Sequence, residues 1–312
     1  MRCQPGAAIP CKLDWPIERI KYFGADPADT RRRGEPIWTD QWGVTWQKES
    51  QDPQMMPFPT KHPLSACLNN LGDYQWPDAD AQTLFVDLNH RQPNPEHLLV
   101  GTHPFALFER AWLLMGMQPL LLAMAEIPEQ VELLFERIAD FEQRIARQYL
   151  NIGVEAAWIA DDYGMNSSLL FSIDMWRRFV RPHLQRMVDL YHEADVIVAL
   201  HSCGNITPLV DEFLDLGIDV LDPIQPNCND LATLRSKTRG RICLCGGVES
   251  SVLLAENTLQ TQSDTQRLID ELGQDGGFIV GPDDDWTFPT IAADAMLAVV
   301  RSHRERSDTQ RA

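Results

Sequence analysis

The chain of 312 residues lacks any apolar run near the roughly 18 residues that a membrane-spanning helix needs. Its first ten residues also lack the apolar core of a secretory signal peptide. Positive charge is scarce, because 27 Lys and Arg stand against 45 Asp and Glu, a net charge of -18. A phosphate-binding surface needs a basic patch, so this balance argues against nucleic acid and anionic membranes as partners. We therefore expect a cytoplasmic protein with a small-molecule or protein partner.

A disulfide framework is not expected either. The cysteines are odd in number and scattered through a long chain, which favours free thiols and metal ligands over bridges. The seven stand at positions 3, 11, 67, 203, 228, 243 and 245. A chain of this length fits one α/β barrel domain.

The first hundred residues show no strong period, and only short extended pieces are expected, at 8–13, 37–38 and 97–100. Beyond them, helices alternate with short apolar strands. The longest predicted helix covers 128–150 with an apolar stripe, and a second covers 173–194 with a break at Pro182. Strands are predicted at 156–160, 196–200, 219–221, 241–245 and 277–280.

This alternation of strand, loop and helix is typical of βαβ units in a parallel sheet. Five strands and three early pieces make eight, so the predicted fold is α/β, a (β/α)8 TIM barrel. We expect an irregular N-terminal segment over 1–35, the barrel over 36–304 and a polar tail over 305–312.

The segment His201-Ser-Cys-Gly204 ends an apolar strand and is the strongest functional signal. Residues i and i+2 of an extended segment point the same way, so the His201 imidazole and the Cys203 thiol can converge. Nitrogen with thiolate suits zinc. The alternative is a core histidine beside a buried thiol. A metal site needs a third ligand, and Cys243, Cys245 or a carboxylate among 283–285 could supply it.

Other polar residues, most of them acidic, also follow predicted strands. The adjacent pair Asp161 and Asp162 follows a strand, and either could serve catalysis or merely cap the next helix. In a barrel, side chains at the carboxyl ends of the strands line one face, where the active site lies. Such residues here include His103, Gln225 and Glu249.

Five motifs together resemble the uroporphyrinogen decarboxylase superfamily, in particular its branch of corrinoid- or cobalamin-dependent methyltransferases. The segments 71–78 and 105–116 match that branch as well. The motifs are Trp158–Gly164, Leu170–Pro182, His201–Ile206, Gly217–Pro226 and Cys245–Val248. The resemblance implies a (β/α)8 barrel with its site at the C-terminal mouth and a homodimer.

Within this superfamily, uroporphyrinogen decarboxylation needs neither metal nor cofactor and uses an N-terminal arginine loop that this sequence lacks. In the methyltransferase branch, a His-x-Cys pair and a later ligand hold zinc, which keeps a thiol substrate as a thiolate. Residue by residue, the resemblance implies zinc on His201, Cys203 and Asp284, the last in place of the family's usual Cys or His.

The resemblance therefore favours a zinc-dependent methyltransferase that moves a methyl group between a small thiol or methoxy compound and a corrinoid partner protein. We expect Asp161 and Asp162 to act in catalysis, and His103, Tyr163, Gln225 and Glu249 to bind substrate. One alternative is a decarboxylase for a porphyrinogen or a smaller acid. Another is a corrinoid-binding relative without activity.

Overall fold

A computed structural model describes residues 10–30, 35–49, 56–65, 68, 71–86, 88, 94–285 and 287–309. These residues form two compact units. The first unit comprises 17–162 and 171–196, and the second comprises 10–16, 163–170 and 197–309. Parts of the expected N-terminal segment and C-terminal tail lie outside the described residues. A single domain over 36–304 stays a prediction.

The strands of the first unit are β1 (Ile17–Ile20), β2 (Ile37–Thr39), β3 (Thr45–Gln47), β4 (Phe58–Lys61), β5 (Leu98–His103) and β6 (Ala156–Ala160). Three of them are parallel, in the order β1, β5, β6, and β2, β3 and β4 form a separate antiparallel sheet. The helices of this unit are α1 (Phe108–Met115), α2 (Met117–Glu126), α3 (Pro128–Ile152), α4 (Ile173–Phe179) and α5 (Arg181–His192).

Helix α3 forms where the apolar period predicted it. Pro128 occupies its first turn, where a missing N–H costs nothing, and Gly153 ends it in the left-handed conformation. The predicted stripe is buried throughout. The predicted helix over 173–194 is two helices, because Pro182 cannot continue α4 and instead lies in the first turn of α5. The stripe consists of Val131, Leu134, Ile138, Phe141 and Ile145.

One expected barrel strand is wrong. Residues 37–38 lie in β2, which pairs antiparallel with β3 and takes no part in the parallel sheet. The parallel strand is β1 instead, which pairs with β5 and was not predicted. In β1 only Ile20 is buried, so the strand has too few apolar residues to give a period.

The second unit contains four parallel strands in the order β7, β8, β9, β10. Residues 10–12 run parallel beside β10, with a bridge between Cys11 and Val280. The elements are β7 (Ile197–His201), α6 (Val210–Leu216), β8 (Val220–Ile224), α7 (Leu231–Thr238), β9 (Cys243–Val248), α8 (Ser250–Leu254), α9 (Thr258–Leu272), β10 (Phe278–Pro282) and α10 (Thr290–Thr309).

Residues of the parallel strands form the core of the second unit. Val198, Leu200, Leu221, Leu244 and Val280 are fully buried, so polar residues just beyond them are held at strand ends. The described residues therefore form an α/β fold with seven parallel strands, three in the first unit and four in the second. A closed (β/α)8 barrel stays a prediction. Among the described residues, no helix is long and apolar enough to cross a membrane.

Candidate metal centre

His201 and Cys203 converge as their spacing predicted. His201 ends β7, and its Nε2 atom lies 3.5 Å from the Sγ atom of Cys203. Zinc bonds of about 2.0 Å to nitrogen and 2.3 Å to sulfur, at a tetrahedral angle, place such atoms about 3.5 Å apart. The His201 side chain is 11% exposed, so the pair can be reached from solvent. The two residues therefore fit two ligands of a tetrahedral zinc ion.

Behind His201 lies a buried carboxylate. The His201 Nδ1 atom is 3.8 Å from Oδ2 of Asp222, in β8 next to the end of β7. Burial alone would raise the pKa of Asp222, but the positive charge of Lys12 and the His201 ring lower it well below its usual range. Asp222 is therefore an anion that can hold the ring with Nε2 toward Cys203.

Lys12 and Asp285 complete the group around Asp222. The Lys12 Nζ atom lies 2.8 Å from Oδ1 of Asp222 and 2.8 Å from Oδ1 of Asp285. His201, Asp222 and Asp285 each offer one ligand atom, and these atoms lie within 4.8 Å of one another. Asp285 thus approaches His201 from the loop after β10, which is the loop predicted to supply the third ligand.

Asp284, the residue predicted as that ligand, is not part of this group. Its Oδ1 atom accepts a hydrogen bond from the Asp285 backbone N at 2.7 Å. Zinc on Asp284 stays a prediction, and from this loop it is the Asp285 carboxylate that lies near His201.

Cys245, an alternative third ligand, is buried in β9. Burial and the nearby charge of Asp222 raise the pKa of its thiol well above the usual value. A thiol that keeps its proton is a poor metal ligand, so Cys245 is less suited to this role than Cys203.

Gln225 joins the two loops that carry the candidate ligands. Its Oε1 atom accepts from the Gly204 backbone N at 2.6 Å, and its Nε2 atom donates to the Asp283 carbonyl at 3.2 Å. Asp283 is itself held by hydrogen bonds from the backbone N and hydroxyl of Ser250. The predicted substrate-binding role of Gln225 stays a prediction, and the structure gives it a positioning role.

Asn229 fixes the same loop, although no motif or strand end in the sequence singles it out. Its Oδ1 atom accepts from the backbone N of Ile206 and Thr207, and its Nδ2 atom donates to the Gly204 carbonyl at 2.9 Å. With Gln225, it holds the backbone after Cys203 at both ends.

The segment 163–170 packs directly on this loop. The Tyr163 backbone N donates to Oγ of Ser202 at 3.0 Å, and the Asn205 N donates to the Met165 carbonyl at 2.7 Å. Gly204 has a φ of +82°, and a Cβ there would lie 2.4 Å from the carbonyl carbon of Gly164. Only glycine allows this approach.

Tyr163 and Glu249 were predicted to bind substrate, and both predictions stay untested. Tyr163 is 1% exposed. Glu249 lies at the start of α8, where its carboxylate accepts a hydrogen bond from the Ser251 hydroxyl at 3.4 Å.

In the first unit, Asp161 holds the start of α1. Its carboxylate accepts from the backbone N of Leu107, Phe108 and Glu109 at 3.3, 2.9 and 2.8 Å. A buried carboxylate at a helix N-terminus satisfies donors that the helix cannot. Catalysis by Asp161 stays a prediction, and its hydrogen bonds give it a structural role in α1 rather than in the helix that follows it.

Glu109 is a titratable group that the sequence analysis missed, although it lies within one of the matching segments. Burial raises its pKa well above the usual value, and the charges of Asp162 and Asp161 raise it further. Glu109 therefore keeps its proton to a higher pH than an ordinary glutamate, while Asp162 stays a predicted catalytic residue.

His103 is a core residue of the first unit. It has no exposed surface, its Nδ1 atom lies 2.7 Å from Oε2 of Glu142, and its Nε2 atom lies 2.6 Å from the Tyr191 hydroxyl. Both ring nitrogens are therefore engaged, and this geometry gives the predicted role in substrate binding no support.

Comparison with known proteins identifies the family and supports the fold. A family model described as Uroporphyrinogen decarboxylase (URO-D) matches residues 101–305. A methyltransferase from Methanosarcina mazei is similar in structure, with TM-score 0.71 and 17% identity over 92% of this chain and 80% of that chain. No curated protein matches.

A B12-independent methionine synthase from Shewanella sp. W3-18-1, solved in complex with selenomethionine, is a more distant neighbour. Its TM-score is 0.48, with 11% identity over 69% of this chain and 63% of that chain, which is too low to support an inference. The methyltransferase shares the fold, and the matched residues 101–305 contain His201, Cys203, Asp222 and Asp285. The chain belongs to the uroporphyrinogen decarboxylase (URO-D) family.

Proposed function

We propose that this protein is a zinc-dependent methyltransferase that moves a methyl group between a small thiol or methoxy compound and a corrinoid carried by a partner protein. The observation that carries the proposal is the 3.5 Å separation of His201 Nε2 and Cys203 Sγ. This is the separation of two ligands on one tetrahedral zinc ion.

His201 and Cys203 would hold the ion, and Asp222 would keep the His201 ring in place through Nδ1. The third ligand would come from the loop after β10, from Asp284 as predicted. Bound zinc lowers the pKa of a coordinated thiol or polarises a coordinated oxygen. With a carboxylate as third ligand, the site carries one thiolate fewer than a His/Cys/Cys set, which favours an oxygen-bearing substrate.

The remaining residues would position the reactants. Gln225 fixes the ligand loops, and Tyr163 and Glu249 complete the substrate site of this proposal. Asp162 would orient substrate or transfer a proton. Methyl transfer is a displacement in line, so positioning and electrostatics supply most of the rate enhancement.

Support for a methyltransferase comes from family membership together with the His-x-Cys pair, since the similar Methanosarcina mazei structure is a methyltransferase of shared fold. The corrinoid partner rests on the resemblance to the corrinoid-dependent branch. An assay with methylcobalamin tests this part of the proposal directly.

The assay uses the zinc-loaded protein with methylcobalamin and, in turn, thiols and methoxy compounds, and follows the cobalamin spectrum. We expect demethylation of methylcobalamin with an acceptor thiol, or methylation of reduced cobalamin by a methoxy compound, and its loss in Cys203→Ser. Cys228→Ser is the matched control, because Cys228 is a half-buried thiol of the same unit outside the ligand group. Activity that persists in Cys203→Ser contradicts the proposal.

The matched family model favours one alternative, decarboxylation of a small acid in the same site. Such a reaction needs no metal in that family. Carbon dioxide release by metal-stripped protein, together with no change in the cobalamin spectrum, would replace the methyltransferase with this lyase.

A further inference from the structure

Lys12 lies between two carboxylates at the candidate metal centre. Its ammonium is 2.8 Å from Asp222 and 2.8 Å from Asp285, and its side chain is only 10% exposed. Asp222 is 4% exposed, and Asp285 is 32% exposed. The ammonium therefore meets both carboxylates in a largely buried position, where charge interactions are stronger than at the surface.

The backbone and stem of Lys12 are fixed as well. Its backbone N donates to the Val280 carbonyl at 2.8 Å, beside the bridge between Cys11 and Val280. The stem lies across Gly281, where an added Cβ would come within 2.4 Å of the Lys12 Cβ. Gly281 in β10 thus leaves space for the Lys12 stem, and the ammonium is held in a fixed position.

Without Lys12, the group His201, Asp222 and Asp285 would be a different kind of metal site. Two carboxylates and an imidazole, all within 4.8 Å of one another, suit oxygen-preferring divalent cations such as Mn²⁺. Such an ion would draw on His201 from the Nδ1 side, away from Cys203. The same histidine cannot serve both arrangements well.

We propose that Lys12 is a specificity-determining residue, a built-in cation that keeps hard divalent ions out of this group and leaves His201 Nε2 facing Cys203. The ammonium neutralises one of the two carboxylate charges and occupies one oxygen of each. A divalent cation that entered would find these two carboxylate oxygens already paired with Lys12, and the ammonium would repel it. The inference rests on the proposed function in one respect, which is that His201 binds a metal ion together with the Cys203 thiolate.

The test is Mn²⁺ binding by the full chain, followed by the loss of the EPR signal of free Mn²⁺. Wild type and Lys12→Arg are expected to bind Mn²⁺ weakly. In Lys12→Met the affinity should rise by roughly tenfold or more, because a repelling charge is gone. Gly281→Ala, which displaces the stem without removing the charge, should raise it by less.

Two controls separate this effect from a general change of charge or stability. Lys237→Met removes an exposed lysine of the same unit, paired with Asp211 at 2.8 Å, and should leave Mn²⁺ binding unchanged. Lys12→Met/Asp222→Asn should lose the gained affinity. Because Lys12→Met leaves a buried carboxylate uncompensated, Mn²⁺ should also raise its melting temperature while leaving that of wild type unchanged.

The proposal is overturned if Lys12→Met, folded by circular dichroism, gains no Mn²⁺ affinity, or if wild type already binds Mn²⁺ through Asp222. Neither result bears on zinc at His201 and Cys203. Conversely, absence of zinc from wild type would remove the proposed function and leave the gain of Mn²⁺ binding in Lys12→Met intact.

Discussion

The Nδ1 atom of His201 lies 3.8 Å from Oδ2 of Asp222, while Nε2 of the same ring faces Cys203 at 3.5 Å. One imidazole thus has a buried anion on one side and a thiol on the other. At 3.8 Å the carboxylate acts on the ring through its charge, which favours a proton on Nδ1 and leaves Nε2 as the atom that can bind a metal.

Asp222→Asn tests that relationship. Loss of the negative charge behind the ring should weaken zinc binding by roughly tenfold to a hundredfold, measured by competition with a chromogenic chelator. Asp211→Asn, at an exposed ion pair of the same unit, is the control and should bind zinc as wild type does. An unchanged zinc affinity in Asp222→Asn would mean that the Asp222 carboxylate pairs with Lys12 but does not orient His201.

Gly204→Ala tests the contact between the ligand loop and the segment 163–170. The new methyl group would lie 2.4 Å from the Gly164 carbonyl carbon at a φ of +82°, so we expect a loss of more than about 2 kcal/mol in the free energy of unfolding. Gly153→Ala is the matched control. Its φ is +91° with no neighbour within 4 Å, so only the backbone penalty of about 1 kcal/mol should appear. Equal losses in urea unfolding would contradict the close approach.

Substitutions of Asp161 and Asp162 should have different effects, the first on stability and the second on activity. Asp161→Asn removes the charge that accepts three backbone N–H groups at α1, and should cost about 1–2 kcal/mol of stability. Asp162→Asn is expected to lower kcat without changing the unfolding midpoint. If Asp161→Asn melts as wild type does, its hydrogen bonds are not what holds α1.

His183 should make stability depend on pH in the mildly acidic range. Burial lowers its pKa below 6.5, only partly opposed by Glu136 and Asp140, while Arg186 lowers it further. The unfolded chain therefore takes up a proton more readily than the folded one, and the stability present above pH 6.5 is lost as the pH falls below it. In His183→Gln the midpoint of urea unfolding should fall less between pH 8 and about 5 than in wild type. Parallel curves would contradict this.

The sequence predicted most of the parallel strands because each is an apolar run bounded by a turn and followed by a helix. The strands over 156–160 and 197–201 were placed within one residue, and the second of them located His201 and Cys203. Such runs are local signals. The three-residue strands β2 and β3 carry no comparable period, and their antiparallel pairing depends on the turn at 40–44 between them.

The place of Lys12 at the site could not be predicted from the sequence, for a different reason. Lys12 lies in a segment without period, and its partners Asp222 and Asp285 are more than two hundred residues away. Asp222 lies within the matching segment Gly217–Pro226, but nothing in the sequence pairs it with a residue so distant in the chain. Gln225 and Asn229 are likewise defined by backbone groups of loops, which a sequence does not reveal.

The zinc content of the purified protein tests the central claim most directly. We expect one zinc per chain in wild type, and its loss in His201→Ala and in Cys203→Ser but not in Cys228→Ser. A wild-type protein without zinc, or a protein that keeps zinc after both His201→Ala and Cys203→Ser, would contradict the account.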